Sequence, residues 1–401
     1  MVSAVARPYI DASVPVLREH GLAITRTFYK NMFAAHPELT NLFNMGNQAN
    51  GSQQQSLASA VFAYAANIDN AAALAPVVSR IVQKHASVGI TAAHYPIVGR
   101  HLLGAIQEVL GDAATPALIS AWDEAYSELA AALVAAEDEL YAQAGITPGQ
   151  LNEMRVIDVS DESDDIKAFV LETVDGKEAP AFKPGQYVSV SVTFDDGATQ
   201  LRQYSLSDAP NARSLRISVK RERAGSETPA GRVSNWLHQH VVKGSILKVT
   251  HPFGDFTADT EGTAPIVLLS AGVGITPMIS VLNRIARVNP KRHVTFAHAT
   301  RASSHHAHRV DVAAAKTAMP NLVVSIFYET IAPEEARDAS CSAGMMDIKK
   351  VPAWAYKDAD VYLCGPVGFM QQQWRSLVEA GVPASRLHRE VFGPELLNYV
   401  N

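Results

Sequence analysis

The stretch VQKHASVG, residues 82–89, closes a long apolar run and carries one histidine. Its reading decides what the first third of the chain is for. A lone His on an apolar helix is ordinarily a buried hydrogen-bonding side chain. His85 becomes a metal-ligand candidate only if its surroundings supply an apolar slot, a partner for the second ring nitrogen and polar groups on the opposite wall. The sequence offers residues for each.

The pattern around His85 is helical throughout residues 1–145: alanine is abundant, and apolar residues recur every three or four positions. HLLGAIQEVLG (101–111) and ALISAWDEAYSELAAALVAAEDELYAQAG (117–145) are the clearest runs, and Gly145 is the expected stop of the second. GITPGQ (145–150) reads as a connection, with residues 146–150 as linker. From 151 to 262 the rhythm changes. MRVIDVS, IKAFVLETV, QYVSVSVTF, QYSLS, LRISVKR and ILKVTHPFG are short, β-rich and separated by turn residues, which predicts a small antiparallel barrel. From 263 to 401 strand and helix alternate, as in PIVLLSAG, PMISVLNRIARV, HVTFAHAT and DVYLCGP, which predicts a parallel sheet with helices on both faces. The fold class is therefore multidomain: all-α, antiparallel barrel, then α/β.

The totals fit two or three soluble units. Of the 401 residues, 47% are apolar and 18% charged, a globular composition. A net charge of −6 argues against a broad nucleic-acid surface. Cys341 and Cys364 are far apart and form no disulfide or metal pattern, so a reducing, cytoplasmic setting is expected. MVSAVARPYIDASVPVL lacks the basic start and apolar block of a signal peptide. APIVLLSAGVGITPMISVL (264–282) is long and nearly uncharged, but its glycines and the Thr276–Pro277 step predict strand, turn and helix rather than a membrane span.

Around His85, Tyr29, Phe43, Gln53 and Leu57 precede it in the chain. Gln53 and Leu57 are four apart and share a helix face. In the last helix Leu133, Val134, Glu137, Leu140 and Tyr141 follow three- and four-residue steps, which places Glu137 on the apolar face. A buried carboxylate needs a partner. An Arg or a water would serve, and so would the imidazole N–H of His85, which a carboxylate would orient and make a stronger donor to a metal. Tyr95, before Pro96, is placed to join them. The whole matches the needs of a haem pocket.

FYKNMFAAHPELTNLFNMGNQ, QKHASVGI and AHYPIVGRHLLGAIQEVLG resemble the globin domain of bacterial flavohaemoglobins. The later segments resemble the same family's reductase half, so the likeness covers essentially the whole chain. The resemblance implies His85 as axial iron ligand, with Tyr95 and Glu137 behind it and Tyr29 and Gln53 on the distal side. It also implies FAD contacts at Tyr187 (in KPGQYVSV) and at Arg202, Gln203, Tyr204 and Ser205 (in RQYSLSDAP). On chemistry, Arg202 suits a pyrophosphate, and the backbone at Gly231, Val233 and Ser234 in GRVSNWLH opens a helix suited to phosphate. VLLSAGVGITPM supplies Gly272, Val273, Gly274, Ile275, Thr276 and Pro277, a glycine turn and a helix expected to start at Pro277. With Cys364, Gly365 and Pro366 at a later strand end it marks a nicotinamide site. In REVFGPE, Val391, Phe392, Gly393 and Pro394 belong to the cofactor groove, with Phe392 covering the flavin. Glu390 facing Lys84 is expected to couple the two halves.

The implied activity is a nitric oxide dioxygenase. Electrons pass from NADH or NADPH through FAD to haem b, and O2 and nitric oxide give nitrate. A haem-based O2 or redox sensor and a hydroperoxide reductase are the other readings; the complete reductase half speaks against the sensor. A monomer is expected, with small-molecule partners, no membrane anchor and room for a lipid in the haem pocket. Two departures from relatives stand out. AGITPGQLNEMR lacks a Gly-Gly-Trp at the domain join, and Arg389 stands where Tyr is common. ASSHHAHR (302–309) is expected to form a polar turn rather than a zinc site. Arg301, after FAHAT, is a candidate reader of a 2′-phosphate.

Overall fold

The computed structural model describes residues 2–225, 229–352 and 358–394. Glu395, the last residue of REVFGPE, lies outside them. The first segment is built from α1 (Arg7–Ala35), α2 (Met45–Ala49), α3 (Ser52–Ala66), α4 (Ala71–Val88), α5 (Tyr95–Leu110) and α6 (Pro116–Ala144). Ile10, Leu17, Ile24, Phe28 and Met32 form the buried stripe of α1, and they pack with Leu102 and Ile106 of α5 and Trp122 of α6. Their burial against two long helices holds this bundle, since helix propensity alone is weak. The caps follow the sequence. Asn70 accepts from Ala73 N at the start of α4, and Gly89, at φ 77°, ends it. Thr115 caps α6, and Gly145, at φ 67°, stops it. A Cβ on Gly89 would lie 2.7 Å from the Cα of Gly149, so the end of α4 and the linker meet backbone to backbone.

The second segment is a six-stranded antiparallel sheet of β1 (Asn152–Asp161), β2 (Ile166–Thr173), β3 (Tyr187–Thr193), β4 (Thr199–Ser205), β5 (Leu215–Lys220) and β6 (Ile246–Val249), in the order β4-β3-β6-β1-β2-β5. A bridge between Leu206, just past β4, and Ile217 of β5 brings the two edges together and closes the barrel. Helix α7 (Arg232–His240) packs Val233 and Leu237 on its core.

The third segment is a parallel sheet ordered β10-β9-β8-β7-β11-β12, from β7 (Ile266–Ala271), β8 (Val294–Thr300), β9 (Leu322–Tyr328), β10 (Cys341–Ala343), β11 (Asp360–Cys364) and β12 (Leu387–Glu390), with α8 (Ile275–Val288), α9 (Arg309–Ala318) and α10 (Val367–Glu379). The strand order reverses between β7 and β11, and open α/β sheets bind ligands at such a switch point. Two expectations change. Helix α8 starts at Ile275, not Pro277, because Gly272–Gly274 form a short 3-10 turn that leads straight into it. ASSHHAHR does turn after β8, through Ser303–His305, but its far end is not at the surface: His306 and His308 are buried, His306 beside Tyr328 and His308 against Ser218 of the barrel. No helix among the described residues is long and apolar enough to cross a membrane.

Candidate functional site

Helices α4, α5 and α6 bring three polar side chains to one point inside the first segment. His85 Nδ1 lies 2.8 Å from Glu137 Oε1 and 3.1 Å from the Tyr95 hydroxyl. Tyr95 donates to the same Oε1 at 2.6 Å. Glu137 is 2% exposed, so its oxygen is shielded from water and shared by two partners. Burial and the adjoining carboxylate hold the Tyr95 hydroxyl firmly protonated. With Nδ1 committed to Glu137, Nε2 is the ring nitrogen left to meet a metal. The arrangement is supported from behind. Tyr126 donates to the Tyr95 carbonyl at 2.6 Å, and Tyr141 donates to the Ile90 carbonyl at 2.9 Å.

The opposite wall carries Tyr29 and Gln53. Gln53 Nε2 donates to the Tyr29 hydroxyl at 3.4 Å, and burial pushes the Tyr29 pKa up to about 12, so it stays a donor. The Tyr29 and Phe43 rings meet edge to face, 5.7 Å apart. Leu57 lines the same space, as the four-residue spacing predicts.

One cavity of about 1270 Å³ joins this space to the barrel. It runs from Tyr29, Gln53 and His85, past Lys84 and Glu390, to the groove of Arg202–Ser205 and the start of α7 at Gly231–Ser234. Tyr187 pairs with Ser205 in register, and Arg202 and Tyr204 share one strand face. Gln203 faces the other way and reaches the helical first segment, where its Nε2 donates to Ser87 Oγ at 2.7 Å. Arg202 is bonded to Asn44 Oδ1 at 3.2 Å and Gln200 Oε1 at 2.8 Å, and burial lowers its pKa. Val391, Phe392, Gly393 and Pro394 close the cavity's rim.

The nicotinamide motif is only partly on this wall. Val273 and Thr276 line the cavity. Gly272, Gly274, Ile275, Pro277, Cys364, Gly365 and Pro366 are not among its lining residues. Gly274 serves close approach: a Cβ there would sit 2.3 Å from the Cys364 carbonyl oxygen. The Cys364 thiol is fully buried, and burial raises its pKa far above the usual value, which suits a packed strand end rather than a reactive thiol.

Lys84 donates to the Gly393 carbonyl at 2.7 Å. Glu390, held by β12 next to β11, is buried, and its pKa is raised to about 7; the nearby Lys84 and Arg80 charges oppose that rise and Asp255 adds to it. Lys84 and Glu390 thus meet electrostatically across the boundary, with Lys84's bond going to the backbone beyond Glu390. Arg389 lies over the Trp374 ring, 5.2 Å from its centre, away from the cavity.

Residues that sequence reasoning missed complete the join. Gln83 Oε1 accepts from Gly254 N at 2.8 Å, Ser87 receives Gln203, and Asn44 receives Arg202. Ala86, Tyr141, Tyr187 and Phe253 form a small apolar seam between the segments. Their sequence contexts carry no motif, although Gln83 and Ser87 flank His85 four residues apart on one helix face.

Residues 26–133 match the globin family model, 153–258 the oxidoreductase FAD-binding domain and 268–374 the oxidoreductase NAD-binding domain. The flavohemoprotein of Rhizobium meliloti is 48% identical over 99% of both chains, and that of Chromobacterium violaceum 48% identical over 98% of both. This chain belongs to the flavohemoproteins. Among solved structures, the flavohemoglobin of Malassezia yamatoensis with bound FAD and heme superimposes with a TM-score of 0.84 at 28% identity, covering 98% of this chain and all of that one. The FAD/NAD-binding domain of a nitric oxide dioxygenase from Vibrio cholerae matches 61% of this flavohemoprotein at 36% identity and a TM-score of 0.56.

Proposed function

We propose that this flavohemoprotein is a nitric oxide dioxygenase, using NADH or NADPH, FAD and haem b to convert nitric oxide and O2 to nitrate. The observation that carries the reading is the continuous cavity from the Tyr29–Gln53 wall past His85 to the Arg202–Ser205 groove. The residues fit both large cofactors. His85 would hold haem iron through Nε2 between apolar walls that include Phe28, Leu57 and Leu102. Arg202 and the start of α7 would hold the FAD pyrophosphate, with Tyr187, Tyr204 and Ser205 about the flavin. Bound there, FAD would supply the hydride-accepting and one-electron-donating chemistry that links the nicotinamide to haem, and haem would supply the O2 and nitric oxide chemistry.

The chain's own part is orientation and charge. Glu137 and Tyr95 hold the proton on His85 Nδ1 and fix the imidazole plane. Tyr29, protonated at working pH, presents a hydroxyl over the opposite wall, and Gln53 sets its direction. Gln203 and Ser87, together with Lys84 and Gly393, tie the flavin strand and the C-terminal segment to the helix that carries His85. The Gly272–Gly274 turn and the N-terminus of α8 present backbone to the dinucleotide phosphates. A cytoplasmic location and a monomeric state accord with the free cysteines and with a site complete within one chain.

The test is steady-state turnover of the FAD- and haem-loaded protein with NADH and O2, supplied with nitric oxide or with an organic hydroperoxide. Nitrate formation far exceeding peroxide reduction supports the dioxygenase. The reverse ranking overturns it.

A further inference from the structure

We propose that the 2′ position of the nicotinamide dinucleotide is read by Arg301, and that Asp165 of the neighbouring FAD barrel sets how strongly it does so. The inference rests on the dinucleotide site of the preceding section. In a doubly wound sheet the phosphates lie at the first strand–helix turn, and the adenosine ribose lies toward the end of the next strand. Here the turn is Gly272–Gly274 after β7, and the next strand is β8, which ends at Thr300. An acidic residue at such a strand end bonds the ribose 2′-hydroxyl, whereas an Arg accepts a 2′-phosphate. Position 301 is Arg, with its side chain 62% exposed.

The acid comes from the other domain. Arg301 Nη2 donates to Asp165 Oδ2 at 3.2 Å. Asp165 is 8% exposed, and Ser163 Oγ holds its other oxygen at 3.1 Å. The surrounding backbone fixes the pair. Asp164 N donates to the Ser304 carbonyl at 2.9 Å, which seats the β1–β2 turn on the loop after β8. Thr330 N donates to the Arg301 carbonyl at 2.8 Å, which pins the Arg backbone to the end of β9. Asp165 is too buried to bond a ribose itself. Its charge instead offsets that of a guanidinium whose remaining donors face solvent. Arg301 therefore admits a 2′-phosphate, and Asp165 limits the gain. Neither residue touches the cavity that joins haem and flavin, so both can be changed without disturbing it.

The experiment titrates the FAD- and haem-loaded full chain with adenosine 2′,5′-bisphosphate and with 5′-AMP by calorimetry. Arg301→Ala should weaken the bisphosphate about tenfold or more, the value of one charge-assisted bond, and leave 5′-AMP within about twofold. Asp165→Asn should tighten the bisphosphate several-fold and leave 5′-AMP unchanged. Arg301→Lys, which keeps the charge, should retain part of the bisphosphate preference. An unchanged affinity ratio in Arg301→Ala overturns the role of Arg301. An unchanged ratio in a folded Asp165→Asn overturns that of Asp165. If 5′-AMP does not bind the unaltered protein, the dinucleotide site itself is misplaced and both readings fall together, an outcome distinct from the first two. Should Asp165→Asn not fold, Asp165→Ser, which also removes the charge, must raise the ratio in the same direction, and an unchanged ratio in that variant overturns the role of Asp165.

Discussion

Glu137→Gln removes one charge and almost no volume from the group behind His85. Both bonds that converge there end on the same oxygen, from His85 Nδ1 at 2.8 Å and from Tyr95 at 2.6 Å. A Gln can keep an oxygen in that place, so the packing survives and the change is electrostatic. Each bond falls from the charged class to the neutral class, a loss of about 1 kcal/mol apiece. The His85 share weakens donation to the metal and favours the ferrous over the ferric state. About 1.4 kcal/mol corresponds to 59 mV for one electron, so the haem midpoint should rise by roughly 50 mV. Turnover should fall by about tenfold or more, as for other changes behind a metal-bound histidine. Spectroelectrochemical titration of the loaded protein reads the midpoint directly. A shift below about 10 mV, with haem content and thermal stability intact, would refute the reasoning, because the carboxylate would then be structural only.

Other predictions concern the boundary and the distal wall. The Glu390 carboxyl has its pKa raised from 4.5 to about 7 by burial, so the folded protein binds this proton more tightly than the unfolded chain. Its contribution to stability is complete below about pH 4.5 and is lost as pH rises through about 7, on the order of 3 kcal/mol. Thermal unfolding of Glu390→Gln should show a flatter pH dependence over that window, and a parallel curve would contradict the account. Gly274→Ala drives a Cβ to 2.3 Å from the Cys364 carbonyl. Flavin reduction by NADH should slow by more than tenfold while reduction by dithionite is unchanged, as measured by stopped-flow absorbance. Tyr29→Phe removes one hydroxyl donor, about 1 kcal/mol, so O2 should leave the reduced protein about fivefold faster in flash-photolysis or mixing experiments.

Much of this was legible in the sequence because it depends on local rules. The stop at Gly145, the shared face of Gln53 and Leu57, and the inward placement of Glu137 follow from helical period and capping alone. The barrel and the parallel sheet follow from alternation and turn spacing. What could not be read depends on how distant segments meet. LHRE forms the edge strand β12, but four residues of mixed polarity carry no strand signal until β11 lies beside them. His306 and His308 look like turn residues in sequence, yet both are buried: Ser218 and Asp311 bond the two ring nitrogens of His308, and Tyr328 bonds Nδ1 of His306. Asn44, Gln83, Ser87 and Asp165 are ordinary polar residues in sequence. They acquire roles only when the barrel docks on its neighbours.

The central claim is a single electron path through one cavity. The most direct measurement adds NADH anaerobically to the FAD- and haem-loaded protein and then admits carbon monoxide, with the visible spectrum recorded throughout. The account predicts flavin bleaching, then haem reduction, then a carbonyl-haem band, all of them without an added mediator. Flavin that bleaches beside haem that stays ferric would contradict it.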